Sequence, residues 1–217
     1  MIRKTTPLAR REGIIFILSA PSGTGKTTLI KALREICPKI RLSISYTTRS
    51  RRKGEVHGRD YYFVKPATFV AMKAKGDFAE WAKVHGFFYA TPCGPLERCI
   101  HRGQDILLDI DVQGATKIKR KYPRAASIFL VPPSWRELQR RLARRGTDGK
   151  ETIRRRLANA RDEIRAIIKY DYFVVNRDVK ASVALLKSIF EAEQAKTARI
   201  KQWHIAPLDR AIRLILR

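Results

Sequence analysis

Hydrophobic positions along this chain alternate between short continuous runs and longer segments with helical spacing. Four short, predominantly apolar runs are typical of strands buried on both faces, and they cover residues 14–18, 106–110, 127–131 and 172–175. Four segments carry apolar side chains every three or four positions, which predicts helices at residues 28–36, 134–145, 151–170 and 179–195. Strands separated by helices predict an α/β fold with a parallel sheet core wrapped by helices on both faces.

A segment near the middle of the chain breaks this alternation. Its aromatic-rich runs predict a small mixed β insertion, with strands at 61–64, 78–84 and 87–89 and a turn at His85-Gly86. The expected organisation is a core at residues 13–42 and 92–195, the insertion at 43–91 and a C-terminal extension at 196–217.

The first apolar run leads directly into a glycine-rich turn that ends in Gly-Lys-Thr. Such a loop points successive backbone N–H groups at a phosphate, and the following helix adds its N-terminal dipole. Lys26 can reach the β- and γ-phosphates of a nucleotide, and the Thr27 hydroxyl can bind Mg²⁺. The residues predicted to hold ATP in this loop are Ala20, Pro21, Ser22, Gly23, Thr24, Gly25, Lys26, Thr27 and Thr28. A glycine-rich turn without a ligand is the alternative interpretation, but it does not explain why strand, loop, Lys and Thr occur in this order.

The composition limits the class of protein. A chain of 217 residues with 44% hydrophobic content can bury a full core, which excludes a disordered tail. Its 46 Lys and Arg against 20 Asp and Glu give a formal charge of +26, which attracts polyanions of any kind. The three cysteines lack CxxC spacing, which argues against a zinc site or disulfide framework and favours a reducing cytoplasm. No apolar run is long enough for a signal peptide or a membrane span, so neither is expected.

A second group of residues suited to phosphate binding lies inside the insertion. Arg49 and Arg52 are three positions apart, with Ser45 before them and Tyr61 after them. Guanidinium groups bind phosphate through paired hydrogen bonds, so this cluster predicts a second phosphate site. A solvated basic loop is the alternative interpretation of such a charge run. Further polar residues follow downstream: Glu80, Tyr89, Thr91, Asp109 and Asp111.

These motifs, in this order and spacing, make the chain resemble the guanylate kinases from residue 13 to residue 195. The resemblance implies a P-loop kinase with a mobile helical lid, which transfers the γ-phosphoryl group of ATP to GMP or dGMP with Mg²⁺. It implies that the residues that bind GMP are Ser45, Arg49, Arg52, Tyr61, Glu80, Tyr89, Thr91 and Asp111. Glu80 matches the guanine-reading residue, since a carboxylate accepts hydrogen bonds from guanine N1–H and its 2-amino group.

The resemblance also implies roles on the ATP side. Residues 141–157 resemble the lid, in which Arg145 and Arg156 would contact the transferring phosphates, whereas Arg154 and Arg155 are expected to be solvated. Phosphoryl transfer needs positioning and charge neutralisation more than acid–base chemistry. The predicted catalytic residues are Lys26, Arg49, Arg145 and Arg156, and Asn176 is expected to contact adenine. Asp109 ends a predicted buried strand, where an acid commonly orients Mg²⁺ in phosphate-loop enzymes, so Thr27 and Asp109 are the candidate metal ligands.

Two other functions stay open from the sequence. A kinase of a different phosphorylated acceptor would have no use for Glu80 or the full set of arginines and tyrosines. A basic guanylate-kinase-like module that binds a peptide or nucleic acid would be expected to lose the phosphate loop, which is intact here. ATP and GMP or dGMP are therefore the predicted partners, together with a homo-oligomer, and no specific nucleic-acid or membrane partner is predicted. An apolar stripe at Leu208, Ile212, Ile215 and Leu216 is expected to form a terminal helix packed on the core or on another subunit, with an anionic membrane surface as the less favoured alternative.

Overall fold

The computed structural model describes residues 9–84, 86–144 and 150–203 of the 217-residue chain. Its strands are β1 Ala9–Arg11, β2 Ile15–Ser19, β3 Arg41–Leu42, β4 Tyr46–Thr47, β5 Tyr62–Phe63, β6 Phe78–Val84, β7 Phe87–Pro92, β8 Ile106–Asp109, β9 Ala126–Val131, β10 Tyr172–Val175 and β11 Ile200–Trp203. Its α-helices are α1 Lys26–Ile36, α2 Pro66–Ala74, α3 Cys93–His101, α4 Val112–Lys121, α5 Trp135–Ala143, α6 Lys150–Arg165 and α7 Val179–Ala195.

The central sheet is parallel throughout, with strand order β10-β9-β2-β8-β3. Strand β2 lies in the middle, and its five residues are all buried because both faces of the sheet are covered. Leu18 is in register with Asp109 of β8 and with Ile128 of β9. The carboxyl ends of these strands therefore meet at one edge, where the loop after β2 begins.

Alternation along β2 divides the core into two apolar layers. Phe16 and Leu18 face a cluster built with α1 and α7, in which Phe16 lies 4.2 Å from Phe190 between ring centroids. Ile15 and Ile17 face the opposite cluster, built with α3 and α4. This arrangement confirms the predicted parallel sheet wrapped by helices on both faces, because successive strand side chains point to opposite layers.

The insertion forms a separate four-stranded sheet of order β5-β4-β7-β6, mixed in direction as predicted. Phe69 of α2 packs on this sheet against Phe78 and Phe88, with ring centroids 4.9 and 5.3 Å apart. Helix α2 was missed by the strand-only interpretation of the insertion. The predicted strand at 61–64 shortens to Tyr62–Phe63, and the one at 87–89 extends to Pro92 because β7 pairs with β6 along its length.

Helices α5 and α6 lie beside the carboxyl edge of the central sheet and pack through buried Leu138, Leu142 and Ala160. Helix α5 begins after Ser134, whose hydroxyl accepts a 3.1 Å hydrogen bond from the Glu137 amide. The predicted single helix at 151–170 is wrong at its end. It stops at Arg165, and a 3₁₀ turn at Ala166–Lys169 redirects the chain into β10. The predicted lid residue Arg145 lies outside the described residues.

The chain ends of the described fold are joined by a short antiparallel ribbon of β1 and β11. Arg11 in this ribbon makes a two-point ion pair with buried Asp105, at 2.5 and 2.8 Å. Asp105 also accepts hydrogen bonds from the Ile14 amide, just before β2, and from Gln194 of α7, so one carboxylate links β1, the start of the central strand and α7. The terminal stripe predicted at 208–216 lies beyond the described residues. Among the helices that the structure describes, none combines the length and the apolar character needed to cross a membrane.

Candidate active site

The phosphate loop joins the central strand β2 to the start of α1, as the sequence predicts. Gly23 and Gly25 have φ angles of 92° and 94°, which L side chains rarely adopt, so these turns require glycine. A side chain at Gly25 would also meet the Asn176 amide nitrogen at 2.9 Å. A Cβ at Gly23 would likewise meet the Leu142 side chain at 2.9 Å. Both positions therefore require glycine for two reasons, the positive φ angle and the lack of space for a side chain.

The backbone carbonyl of Thr24, in the middle of this loop, is held from outside the loop. It accepts hydrogen bonds from the Asn176 side chain at 2.8 Å and from Arg141 of α5 at 2.9 Å. The Thr24 hydroxyl donates to the Pro21 carbonyl at 2.8 Å, and the whole residue is buried. Asn176 is 4% exposed and accepts from the Ser182 hydroxyl, so its amide supports the loop. Its predicted adenine contact stays a prediction.

Lys26 projects across the edge of the sheet toward the end of β8. Its ammonium lies 2.5 Å from the Asp109 carboxylate and 3.3 Å from the Ile110 carbonyl oxygen. The two side chains are 20% and 29% exposed, so solvent reaches both members of the pair. An incoming phosphate can thus meet a lysine that is already positioned at the mouth of the loop.

Glu80 of β6 is the most buried acid facing the loop, with 6% of its surface exposed. Its Oε1 accepts a 2.7 Å hydrogen bond from the Thr91 hydroxyl on β7. Its Oε2 is also buried and has no hydrogen-bond partner in the described part of the chain. Burial raises the pKa of Glu80 to about 7; the negative charge of Asp111 adds to the increase, and the Thr91 hydrogen bond opposes it.

Asp111 lies beside Glu80 at the start of α4. Its side chain accepts a 2.8 Å hydrogen bond from the Gly114 amide and so caps the helix. The cap fixes where the carboxylate stands, because one of its oxygens is committed to the helix end. Asp111 and Glu80 together give this end of the cavity two adjacent carboxylates.

The arginine and tyrosine cluster lies at the insertion side of the site. Tyr61 and Tyr89 pack edge to face with centroids 5.9 Å apart, and the Arg49 guanidinium lies 5.5 Å from the Tyr61 ring. Arg49 is 9% exposed and makes a two-point ion pair with Glu55, at 2.7 and 3.0 Å. Arg52 is exposed, and its backbone N–H donates to Glu55 at 2.8 Å. Glu55 therefore holds both segments that carry the predicted phosphate-binding arginines.

The elements enclose one cavity of about 250 Å³ between the central sheet and the insertion. The predicted site residues that line it are Ala20, Pro21, Ser22, Gly23, Thr24, Gly25, Lys26, Thr27, Ser45, Tyr61, Glu80, Tyr89, Asp109 and Asp111. The other predicted residues that the structure describes lie outside this lining: Thr28, Arg49, Arg52, Thr91, Arg156 and Asn176. The phosphate loop thus lines the same space as Ser45 and Tyr61 of the second predicted phosphate site, whose two arginines lie outside the lining.

One carboxylate in this cavity was missed by sequence reasoning. Glu163 of α6 lines the space near Lys26 and Asp111, and burial raises its pKa to about 7, while Lys26 opposes that increase. Glu163 lies seven residues after Arg156, which is two turns along the same helix face. That spacing was the available signal in the sequence, because Arg156 was itself a predicted site residue whereas Arg154 and Arg155 were not.

The donors available to a metal ion here are oxygens. The Thr27 hydroxyl and the Asp109 carboxylate both line the cavity at the mouth of the phosphate loop. Mg²⁺ prefers such ligands and usually keeps several waters together with substrate phosphates, so one or two protein ligands suffice. No group of three or more His, Cys, Asp or Glu within residues 9–84, 86–144 and 150–203 could hold an ion without substrate. The residues present therefore fit a nucleotide-bound Mg²⁺.

A phosphate loop that shares one cavity with a buried carboxylate on a neighbouring sheet is the arrangement of a P-loop kinase that acts on a nucleotide. The family profile described as guanylate kinase matches residues 12–193. The chain belongs to the guanylate kinase family.

Individual relatives agree with this assignment. The guanylate kinase of Syntrophotalea carbinolica is 52% identical over 192 residues, which are 88% of this chain and 91% of that protein. The guanylate kinase of Geobacter metallireducens is 49% identical over 191 residues, with 88% and 94% covered. The crystal structure of guanylate kinase from Anaplasma phagocytophilum matches with a TM-score of 0.75 and 36% identity, and it covers 89% of this chain and 93% of its own.

Proposed function

We propose that the protein transfers the γ-phosphoryl group of ATP to GMP or dGMP, which yields ADP and GDP or dGDP. The observation that carries the proposal is Glu80, a buried carboxylate whose Oε2 has no hydrogen-bond partner among the described residues and which faces the phosphate loop. Membership of the guanylate kinase family supports it. Two carboxylates beside a phosphate loop need a ligand that donates hydrogen bonds to one end and offers phosphate at the other.

ATP is proposed to bind with its phosphates in the loop at residues 20–28. The N–H groups of the loop and the N-terminal dipole of α1 stabilise the negative charge, and Lys26 contacts the β- and γ-phosphates. Asn176 supports the loop through the Thr24 carbonyl and lies at the end of β10, next to the proposed adenine side. Thr27 and Asp109 would hold Mg²⁺, which supplies charge neutralisation to the phosphates when bound.

GMP is proposed to bind across the cavity. Glu80 accepts from guanine N1–H and the 2-amino group, with Thr91 and Asp111 completing the base pocket. Adenine presents an acceptor at N1 and no amino group at C2, so it would leave the buried carboxylate facing a lone pair. The proposed contacts to the GMP phosphate are Ser45, Arg49, Arg52, Tyr61 and Tyr89.

The transfer step needs positioned charge. The GMP phosphate is already anionic, so it attacks the γ-phosphorus without a protein base. Arg145 and Arg156 are proposed to neutralise the charge on the equatorial oxygens, and the lid at residues 141–157 is proposed to exclude water. Arg49 is proposed to hold the GMP phosphate in line for attack. Arg49 reaches this role by exchanging its ion pair with Glu55 for the incoming phosphate. Homo-oligomerisation and a cytoplasmic location are further proposals, the second supported by three cysteines that are all free thiols.

The deciding experiment measures ADP release from ATP and Mg²⁺ with GMP, dGMP, AMP, CMP and UMP as acceptors. Turnover confined to GMP and dGMP is expected, because these two alone offer both N1–H and a 2-amino group to Glu80. Turnover with AMP at a comparable rate contradicts the base-reading role. Absence of turnover with all five, in a protein that binds ATP, contradicts the proposed acceptor.

A further inference from the structure

The first turn of α4 carries a glycine that touches both base-reading carboxylates. A side-chain Cβ built at Gly114 would lie 3.0 Å from Glu80 Oε2, 3.2 Å from Glu80 Cδ and 3.2 Å from Asp111 Oδ1. These distances are shorter than ordinary contacts between a Cβ and its neighbours. Gly114 is itself buried, so its bare Cα forms part of the floor under the two carboxylates.

The backbone of α4 does not require glycine at this position. Gly114 lies inside the helix and is not among the glycines with positive φ, so alanine fits its backbone conformation. Alanine is also the better helix former, because glycine loses more conformational freedom when the helix forms. The Asp111 cap uses only the backbone N–H of Gly114, which alanine retains. Space beside Glu80 is therefore the physical reason for glycine here.

The Glu80 carboxylate has no easy way to retreat from a methyl group at position 114. Its Oε1 is fixed by the 2.7 Å hydrogen bond from Thr91, and its stem is buried in β6. The methyl group would press on Oε2, the oxygen that has no hydrogen-bond partner among the described residues. To relieve the contact, Oε2 must move by a few tenths of an ångström, which rotates the carboxylate out of its present plane.

We propose that Gly114 is a specificity-determining position, which acts through Glu80 and lets the two carboxylates stand side by side at the guanine edge. This inference rests on the proposed function, since it concerns the same base pocket. Gly114 is a positioning residue in this account, because Glu80 makes the contact with the base. The 2-amino group of guanine is the contact most sensitive to the plane of Oε1 and Oε2, because both oxygens must accept at once.

The test is the Gly114→Ala variant, assayed with GMP and with IMP, which keeps N1–H but lacks the 2-amino group. The KM for GMP is expected to rise about tenfold, since small misplacements of positioning groups cost one to two orders of magnitude. The KM for ATP should stay at the wild-type value. The melting temperature should be unchanged or higher, because alanine is the better helix former. The preference for GMP over IMP should fall. An unchanged KM for GMP in an active protein overturns the inference.

Two further variants separate this effect from a general disturbance. Gly94→Ala is the matched control, because Gly94 also lies in the first turn of a helix and a Cβ there meets only the flexible end of Arg98, at 3.1 Å. It should leave the preference for GMP over IMP unchanged. In a Glu80→Gln background, Gly114→Ala should add little, since both act on one contact. Full additivity overturns the inference, whereas a wild-type protein inactive on GMP overturns the proposed function instead.

Discussion

The Thr91 hydroxyl donates a 2.7 Å hydrogen bond to Oε1 of Glu80, across the pair of strands β6 and β7. Both side chains are buried, and Thr91 has no exposed surface. The bond fixes the carboxylate in one orientation and leaves Oε2 buried without a hydrogen-bond partner among the described residues. A buried carboxylate with one satisfied oxygen can discriminate strongly between ligands, because a ligand that cannot donate leaves it unpaired.

Glu80→Gln should remove the preference for GMP over AMP. The neutral amide offers one acceptor and one donor where guanine needs two acceptors, and its donor suits N1 of adenine. The ratio of kcat/KM for GMP to that for AMP is expected to fall about 100-fold or more. Steady-state kinetics with both acceptors measure the ratio. Glu97→Gln, at an exposed position of α3, is the control and should leave it unchanged.

Binding of GMP should weaken as the pH falls through 7. Burial raises the pKa of Glu80 to about 7 from an ordinary 4.5, so the carboxylate that is proposed to accept from guanine becomes protonated in this range. At pH 6 about one tenth of the protein keeps the ionised form. A titration of the GMP dissociation constant between pH 6 and 8 measures the effect, and Glu80→Gln should lack this component.

A second carboxyl group, Glu163, titrates in the same pH range as Glu80, so its contribution to the pH dependence has to be separated. Glu163 also has a pKa raised to about 7 by burial, so Glu163→Gln should retain the Glu80 component. Loss of the pH dependence in Glu163→Gln would contradict the assignment to Glu80. A raised pKa also means that each carboxyl stabilises the fold below about pH 4.5. That contribution is lost as the pH rises through 7, so ionisation opposes folding there.

Lys26→Ala should abolish most turnover while the fold survives. Its ammonium lies 2.5 Å from Asp109 and lines the cavity at the phosphate loop, where it is proposed to contact the β- and γ-phosphates, and the change leaves the buried core untouched. The value of kcat is expected to fall about 1,000-fold, as for removal of other preorganised charge donors. Lys31→Ala, on the exposed face of the same helix, should keep wild-type kcat. Near-normal turnover in Lys26→Ala would remove Lys26 from the transfer step.

Arg156→Ala should lower kcat more than the KM for either substrate, because its proposed contact forms with the transferring phosphoryl group. A decrease of about 100-fold is expected for one charge donor. Arg155→Ala is the neighbouring control, since Arg155 is exposed while Arg156 is half-buried. Equal losses in the two variants would mean that general positive charge on α6, and not the position of Arg156, matters.

Asp105→Asn should destabilise the fold without touching the cavity. The change removes the charge of a carboxylate that is 5% exposed and that binds Arg11, the Ile14 amide and Gln194. The free energy of unfolding is expected to fall by about 2 kcal/mol, the cost of unbalancing a mostly buried pair. Urea unfolding measures it, and Asp162→Asn at an exposed site should change stability by less than about 0.5 kcal/mol. Equal values in the two variants would contradict the linking role of Asp105.

The sequence predicted those elements that have their own local signals. Helix α7 at Val179–Ala195 and strand β10 at Tyr172–Val175 have the predicted bounds, because helical apolar spacing marks the first and a continuous apolar run marks the second without help from distant residues. Helix α2 was missed, since its aromatic neighbours suggested strands and Pro66 was the one sign of a helix start. The phosphate loop was predictable from composition and order alone.

Contacts between distant parts of the chain could not be predicted. The hydrogen bond from Asn176 to Thr24 spans 152 positions, and nothing near either residue announces it. Glu55 was not predicted to belong to the site for the same reason. Its role is to hold the Arg49 guanidinium in an ion pair, and no sequence motif indicates that contact. Glu163 enters the cavity only because α6 folds over the sheet edge. The fold and most candidate site residues could be predicted from the sequence, whereas the contacts that each side chain makes could be seen only in the structure.

The two hydrogen bonds that the Thr24 carbonyl accepts influence the electrostatic potential inside the phosphate loop. Asn176 and Arg141 occupy that oxygen from the side of β10 and α5, at 2.8 and 2.9 Å. A carbonyl dipole engaged in this way is not available to face a triphosphate, whose oxygens it would repel. Arg141 lies in α5, at the start of the proposed lid, so displacement of that helix would remove one of the two hydrogen bonds to this carbonyl. The polarity of the anion site is therefore coupled to the position of α5.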